Sequence, residues 1–187
     1  MAKNWQRDIA TLAGGLALGV LGSRLLVPMI ATARGAARGR AGHDPFELLI
    51  EDHRKIVGLL HEMENSGQAP VPYRMKLFLA IKRTLGKHAM AEEDVVYPLM
   101  HQEMHAVDES KHLYDEHADI KIHLFALEEM LKNGEDWTDR VRQLRGIIEP
   151  HIRQEEEVEF PKLRASLSQS KMTTAAAGVH REEALVQ

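Results

Sequence analysis

The chain has 187 residues and no cysteine. Disulfides, thiolate metal sites and cysteine nucleophiles are therefore excluded, and any metal must be held by nitrogen and oxygen. A basic excess is also missing: 24 Lys and Arg stand against 28 Asp and Glu, for a formal charge of -4. No overall positive field is available to hold DNA or RNA, so nucleic acid is not an expected partner. Nor does any stretch sustain the alternation of a β-strand, which leaves an all-α chain. The length suits one compact domain with an extension.

What is plentiful is histidine, 11 copies, with abundant Glu beside it. These donors suit iron, manganese or zinc rather than copper(I).

The stretch Ile9 to Ala33 is apolar except for Arg24, and its uncharged run from Ile9 to Ser23 is 15 residues. That is short of the ~20 needed to span a bilayer unless Arg24 snorkels or is buried against a partner. Three readings stand open. Gly15, Gly19 and Ser23 form a small-residue ridge suited to a self-associating membrane anchor, and hence to a homo-oligomer. Lys3 and Arg7 before the apolar run, with "ATA" at its end, suit a secretory signal, against which Arg24 counts. A soluble amphipathic helix packing on its own domain is the third. Residues 34–43 form a basic Gly-rich linker. With an anchor, positive-inside bias puts the rest in a bacterial-type cytoplasm or at the inner membrane rather than in the periplasm.

The folded part opens at "DPFE", where Asp44 caps, Pro45 suits the first helical position and Glu47 completes a capping-box pattern. Phe46, Leu49, Ile50, His53, Ile56, Val57 and Leu60 follow at helical steps to about Asn65, placing His53 on the apolar face. A second helix from about Tyr73 carries Phe78, Leu85, His88 and Glu92 until Pro98 disturbs it. The third, announced near Asp108, carries Leu113, His117, Ile120 and Leu127 to "NGED". The fourth starts at 136–138, carries Leu144, Ile148, His151 and Glu155 to about Leu167, and should kink at Pro150. Short loops make an up-down-up-down four-helix bundle over residues 44–167, preceded by the hydrophobic helix of residues 1–33. Residues 168–187 read as a frayed, flexible tail.

The chain repeats itself. "HAMAEEDVVYP", from His88, is echoed by "HIRQEEEVEFP", from His151; "EDHRKI", with His53, is matched by "DEHADI", with His117. The offsets are 64 residues from His53 to His117 and 63 from His88 to His151, which implies a duplicated helix pair and a pseudo-twofold bundle. Residues i and i+4 share a helix face about 6 Å apart along the axis, so His88 with Glu92 and His151 with Glu155 can each aim a nitrogen and a carboxylate at one point. His53 and His117 complete a set of four His and two Glu. That supply fits two metal ions, with Glu92 and Glu155 bridging and positions left open.

Over Asp44 to Leu167 the chain resembles the hemerythrin-like family, the HHE cation-binding domain. The resemblance is carried by "DHRKI", "HAMAEEDVVYP", "DEHADI" and "HIRQEEEVEFP" and implies a non-haem di-iron centre. Its ligands would be His53, His88, Glu92, His117, His151 and Glu155, and its small ligands oxygen, nitric oxide or peroxide. The oxygen carriers of the family are known for H-x3-H on the third helix, where this chain has Lys121. His123, six residues on from His117, is turned some 120° from that face. Fewer histidines leave more open coordination, which favours reaction or sensing over reversible carriage.

Other residues carry lesser expectations. His101 and His105 form an H-x3-H pair with no third ligand nearby. His61 reads as outward, and Glu93 and Glu156, 100° round from the ligands, read as solvated charges. Tyr97 and Phe160 pack over the site ends, with Tyr97 a candidate hydrogen-bond donor, and Asp52 and Glu116 are placed to orient neighbours. The leading function is a di-iron protein that binds or senses oxygen, nitric oxide or peroxide. A di-iron peroxidase- or oxidase-like enzyme and a metal-storage or structural protein are the alternatives.

Overall fold

The computed structural model describes residues 44–185, all of whose regular elements are helical. The apolar segment 9–33 and the linker 34–43 lie outside them. Among the described residues no helix is long and apolar enough to cross a membrane.

Helix α1 spans Pro45–Glu64, α2 Val71–Ala91, α3 Tyr97–Met104, α4 Val107–Lys132, α5 Thr138–Gln154, α6 Phe160–Ser166 and α7 Gln169–Leu185. Two π-helical segments, Glu92–Val96 and Glu155–Glu159, join α2 to α3 and α5 to α6. The Asp44 side chain caps α1 by accepting from the Phe46 amide at 2.9 Å, and Pro45 occupies the first helical position, as "DPFE" suggests. The stop at "NGED" is made by Gly134, whose φ of 71° is the left-handed conformation that glycine tolerates best.

Helices α1, α2, α4 and α5 pack in a ring, each against the next. Their directions follow from the core, which has two apolar clusters. One joins Ile56, Leu60 and Met63 late in α1 to Phe78 and Ile81 early in α2, Leu127 and Leu131 late in α4, and Val141 and Leu144 early in α5. The other joins Phe46 and Leu49 at the start of α1 to Ala91, Leu113 early in α4, and Phe160 and Leu163 after α5. Late residues of one helix meet early residues of the next, so neighbours run antiparallel. His53, His88, His117 and His151 fall between the two clusters along their helices. The site is thereby sealed above and below by apolar layers, whose buried Leu and Ile side chains each contribute about 1.5–3 kcal/mol.

Three expectations are corrected. The frayed tail is instead a helix: α7 lies against α2 and α1 and buries Ala175, Ala176, Val179 and Glu182. Its small residues allow a close approach, since a Cβ on Gly178 would sit 3.0 Å from Val95. α2 begins at Val71, two residues before the expected Tyr73. The fourth helix does not run as one to Leu167. It continues in α form through Pro150, then changes at Glu155 to the wider π geometry before α6.

Candidate metal centre

The π segments begin at the two glutamates that the repeat singles out. In each, the amide of the aromatic residue bonds back five positions, Tyr97 N–H to the Glu92 carbonyl and Phe160 N–H to the Glu155 carbonyl. Each aromatic precedes a proline, which has no amide to continue an α ladder, and the wider turn absorbs the mismatch. The consequence is positional. Five α-helical steps would leave Tyr97 about 140° from the Glu92 face. Within the π turn its hydroxyl instead reaches Glu155 Oε1 at 2.9 Å and His117 Nε2 at 3.1 Å.

All six residues expected from the repeat converge. Glu92 and Glu155 have no exposed surface, and His53, His88, His117 and His151 are nearly as enclosed. Two groups of donors, each mutually within 4.8 Å, can be drawn: His53, His88, Glu92 and Glu155, and Glu92, His117 and His151. Glu92 Oε2 lies 3.1 Å from His88 Nε2 and 3.4 Å from His117 Nε2. Glu155 Oε2 lies 3.3 Å from His53 Nε2 and 3.4 Å from His151 Nε2. Each carboxylate therefore stands between one histidine of each helix pair, the placement a bridge requires.

The outward nitrogens explain which atom each ring offers inward. His53 Nδ1 meets Glu156 Oε1 at 2.8 Å, His117 Nδ1 meets Glu93 Oε1 at 2.9 Å, and His151 Nδ1 meets Glu116 Oε2 at 2.8 Å. A carboxylate at Nδ1 holds the proton there and leaves the Nε2 lone pair free to coordinate. Glu116 thus orients a neighbour as expected. Glu93 and Glu156, read from the sequence as solvated, are only partly exposed, and each is the partner of a histidine on a facing helix. The signal was present, because the doubled "EE" recurs at the same place in both copies of the motif.

The twofold pattern breaks at the fourth histidine. By the repeat, Asp52 should serve His88 as Glu116 serves His151. Asp52 is buried but pairs with Lys87 at 2.6 Å, and His88 Nδ1 has no hydrogen-bond partner among the described residues. Phe160 stacks parallel to His53 at 6.0 Å where the repeat places Tyr97 on the other side, so among the described residues the hydroxyl of this aromatic pair stands on one half of the site.

The donor chemistry fits a cation. His53 Nε2 approaches His88 Nε2 to 3.0 Å, and His117 Nε2 approaches His151 Nε2 to 3.2 Å. Two lone pairs so close repel unless a proton or a metal lies between them. Among the described residues, one oxygen of each buried carboxylate, Glu92 Oε1 and Glu155 Oε2, also lacks a hydrogen-bond partner. Protons serve where metal does not: burial works to lower the His53 pKa, yet Glu155, Glu92 and Glu156 overcome it and raise it to about 9. Burial likewise opposes, and Glu92 and Glu93 outweigh it, to bring His117 to about 9. Burial would push the Glu92 carboxyl up, but the surrounding histidines, His88 foremost, hold it well below its usual range. Burial beside two carboxylates raises the Tyr97 phenol well above its ordinary value, so it stays a donor.

A cavity of ≈ 400 Å³ opens onto this centre between α2 and α4, and the four histidines contribute to its lining. Lys121, which stands where the carrier pattern has a histidine, lies at its rim and pairs with Glu93 at 2.8 Å. His123 belongs to neither donor group, as its angle on the helix suggested. His61, His101 and His105 are exposed and take no part either.

A family model described as "Hemerythrin HHE cation binding domain" matches residues 44–163. Among characterised proteins, the chain is 32% identical over 123 residues to a DNA nickase of Nostoc sp. (strain PCC 7120 / SAG 25.82 / UTEX 2576). The match takes in 65% of this chain and 34% of that protein, so the chain spans about a third of its relative's length. No solved structure matches.

Proposed function

The chain belongs to the hemerythrin HHE cation-binding family, and from that premise we propose that it holds two iron ions and binds or senses oxygen, nitric oxide or peroxide. The observation that carries the reading is the pair of donor groups that share Glu92. His53, His88, His117 and His151 would supply Nε2 donors, and Glu92 and Glu155 would span the two halves. When bound, iron supplies a redox-active centre with positions open to a small ligand.

The chain's own residues account for the rest. Glu156, Glu93 and Glu116 hold a proton on the outward Nδ1 of three histidines, so that each ring already turns its Nε2 inward and has only the Nε2 proton to give up when metal arrives. The Tyr97 hydroxyl donates to Glu155 and restrains that carboxylate. The apolar layers above and below exclude bulk water and leave the cavity between α2 and α4 as the approach. Four histidines rather than five, with Lys121 held at the rim, favour reaction or sensing over carriage.

Elemental analysis of protein made with iron available tests the proposal, followed by visible spectra before and after adding azide or nitric oxide. About two irons per chain and ligand-dependent bands are expected. Iron-free protein, or bound iron with a spectrum indifferent to every small ligand, would reduce the centre to a structural tie.

A further inference from the structure

The approach to the centre is far larger than a diatomic needs. A water molecule's share of liquid volume is about 30 Å³, oxygen and nitric oxide are of that order, and a dry cavity of about 150 Å³ suffices for benzene. The cavity here holds ≈ 400 Å³. Its apolar walls include Ile56, Leu85, Ile120, Leu124, Ile148 and Ile152. The charged residues that line it are Lys82, Glu93, Lys121 and Glu128, and they neutralise one another, Lys82 with Glu128 at 2.7 Å and Lys121 with Glu93 at 2.8 Å. Among the described residues, nothing at the rim selects a charged ligand, and nothing in the aliphatic walls hydrogen-bonds a sugar or a chain of water. The imidazoles are the polar groups at the inner end.

Building on the di-metal reading above, we propose that this cavity takes an uncharged organic molecule of up to about 15 non-hydrogen atoms, with an apolar body and one small oxygen-bearing head, the class that includes alcohols and organic hydroperoxides. The body lies against the aliphatic walls of α1, α2, α4 and α5. The head faces the imidazoles. Volume sets the upper size, the balanced rim excludes ions, and the single polar end orients the molecule.

The test uses the full-length, metal-loaded protein and 2-phenyl-2-propanol as the probe, titrated calorimetrically, with azide binding followed by absorbance. Ala89→Leu and Leu124→Trp enlarge half-buried side chains that line the cavity and leave the six site residues in place. Saturable one-site binding of the alcohol is expected, weakened at least tenfold in both variants while metal content and the azide spectrum persist. On the unmodified chain, saturating alcohol should also slow azide association at least fivefold, a readout that requires no variant. Protein that binds metal and azide but shows no saturable alcohol binding overturns the inference while leaving the di-metal reading intact. So does alcohol binding that neither slows azide nor responds to the variants. Protein that takes up no metal but binds the alcohol overturns the di-metal reading instead.

Discussion

Replacing Glu156 with Ala removes the acceptor 2.8 Å from His53 Nδ1 and leaves the six expected ligands untouched. His53 is 1% exposed, so its Nδ1–H would be left buried with nothing to receive it. An orphaned buried donor costs about 1–3 kcal/mol. Glu156 is itself 33% exposed, which gives water a route to replace part of the carboxylate and favours the lower half of that range. The expected loss is about tenfold in metal affinity, within the 10–100-fold typical of partners that orient a ligating histidine. Competition against a chelator of known affinity measures it. Glu156→Gln keeps a carbonyl acceptor and should recover most of the loss, whereas Glu157→Ala, at the exposed neighbour, should leave affinity unchanged. Affinity within twofold of the unmodified protein for Glu156→Ala, or an equal loss for Glu157→Ala, would refute the orienting role.

Three further outcomes are expected. In metal-free protein His53 and His117 carry pKa values of about 9, raised above the ordinary 6.5, so their contribution to stability is complete below about pH 6.5 and lost as the pH climbs through about 9. Melting temperature of the chelated protein should fall over that window, and a flat or rising profile would contradict the protonated cage. Tyr97→Phe should be accommodated sterically, as Phe160 is at the equivalent place, but leaves Glu155 Oε1 without its donor. A loss of about 1–3 kcal/mol in denaturant unfolding of the metal-free protein is expected, and no loss would mean that the hydroxyl bond is immaterial. Ending the chain at Ser168 removes α7 and its buried Val179, Ala175 and Ala176, at a cost of about 2 kcal/mol or more. Hydrogen exchange should quicken along α2, and unchanged protection there would show that α7 does not brace the bundle.

The six converging residues were legible because their signals are local. Histidine and glutamate at i and i+4 share a face in any α-helix, and a lone histidine amid aliphatic residues at helical spacing must turn toward the core. Writing the pattern twice at nearly equal offsets added symmetry. The start of α1 and the stop of α4 were equally local, since Asp44–Pro45 and Gly134 act through the backbone of their own segment. The tail failed the same reading: "SQSKMTTAAAGVHREEAL" has small residues with little amphipathic contrast, and only the surface of α2 and α1 gives its buried face a place to dock.

The sequence alone thus determined the fold class, the four principal helices, the ligand faces and the exclusion of thiolate chemistry, because each depends on residue type and spacing within one segment. Which carboxylate meets which Nδ1 depends on how segments about 25 to 100 residues apart are set side by side. Glu93 was turned off its own helix's ligand face, and only the neighbouring α4 makes it the partner of His117. Tyr97 was about 140° from Glu92 by α-helical count, and only the π turn before Pro98 swings its hydroxyl into the centre. The cavity between α2 and α4 is likewise a property of packing: Lys121 marks where a histidine is missing, but the space beside it exists only once the helices are assembled.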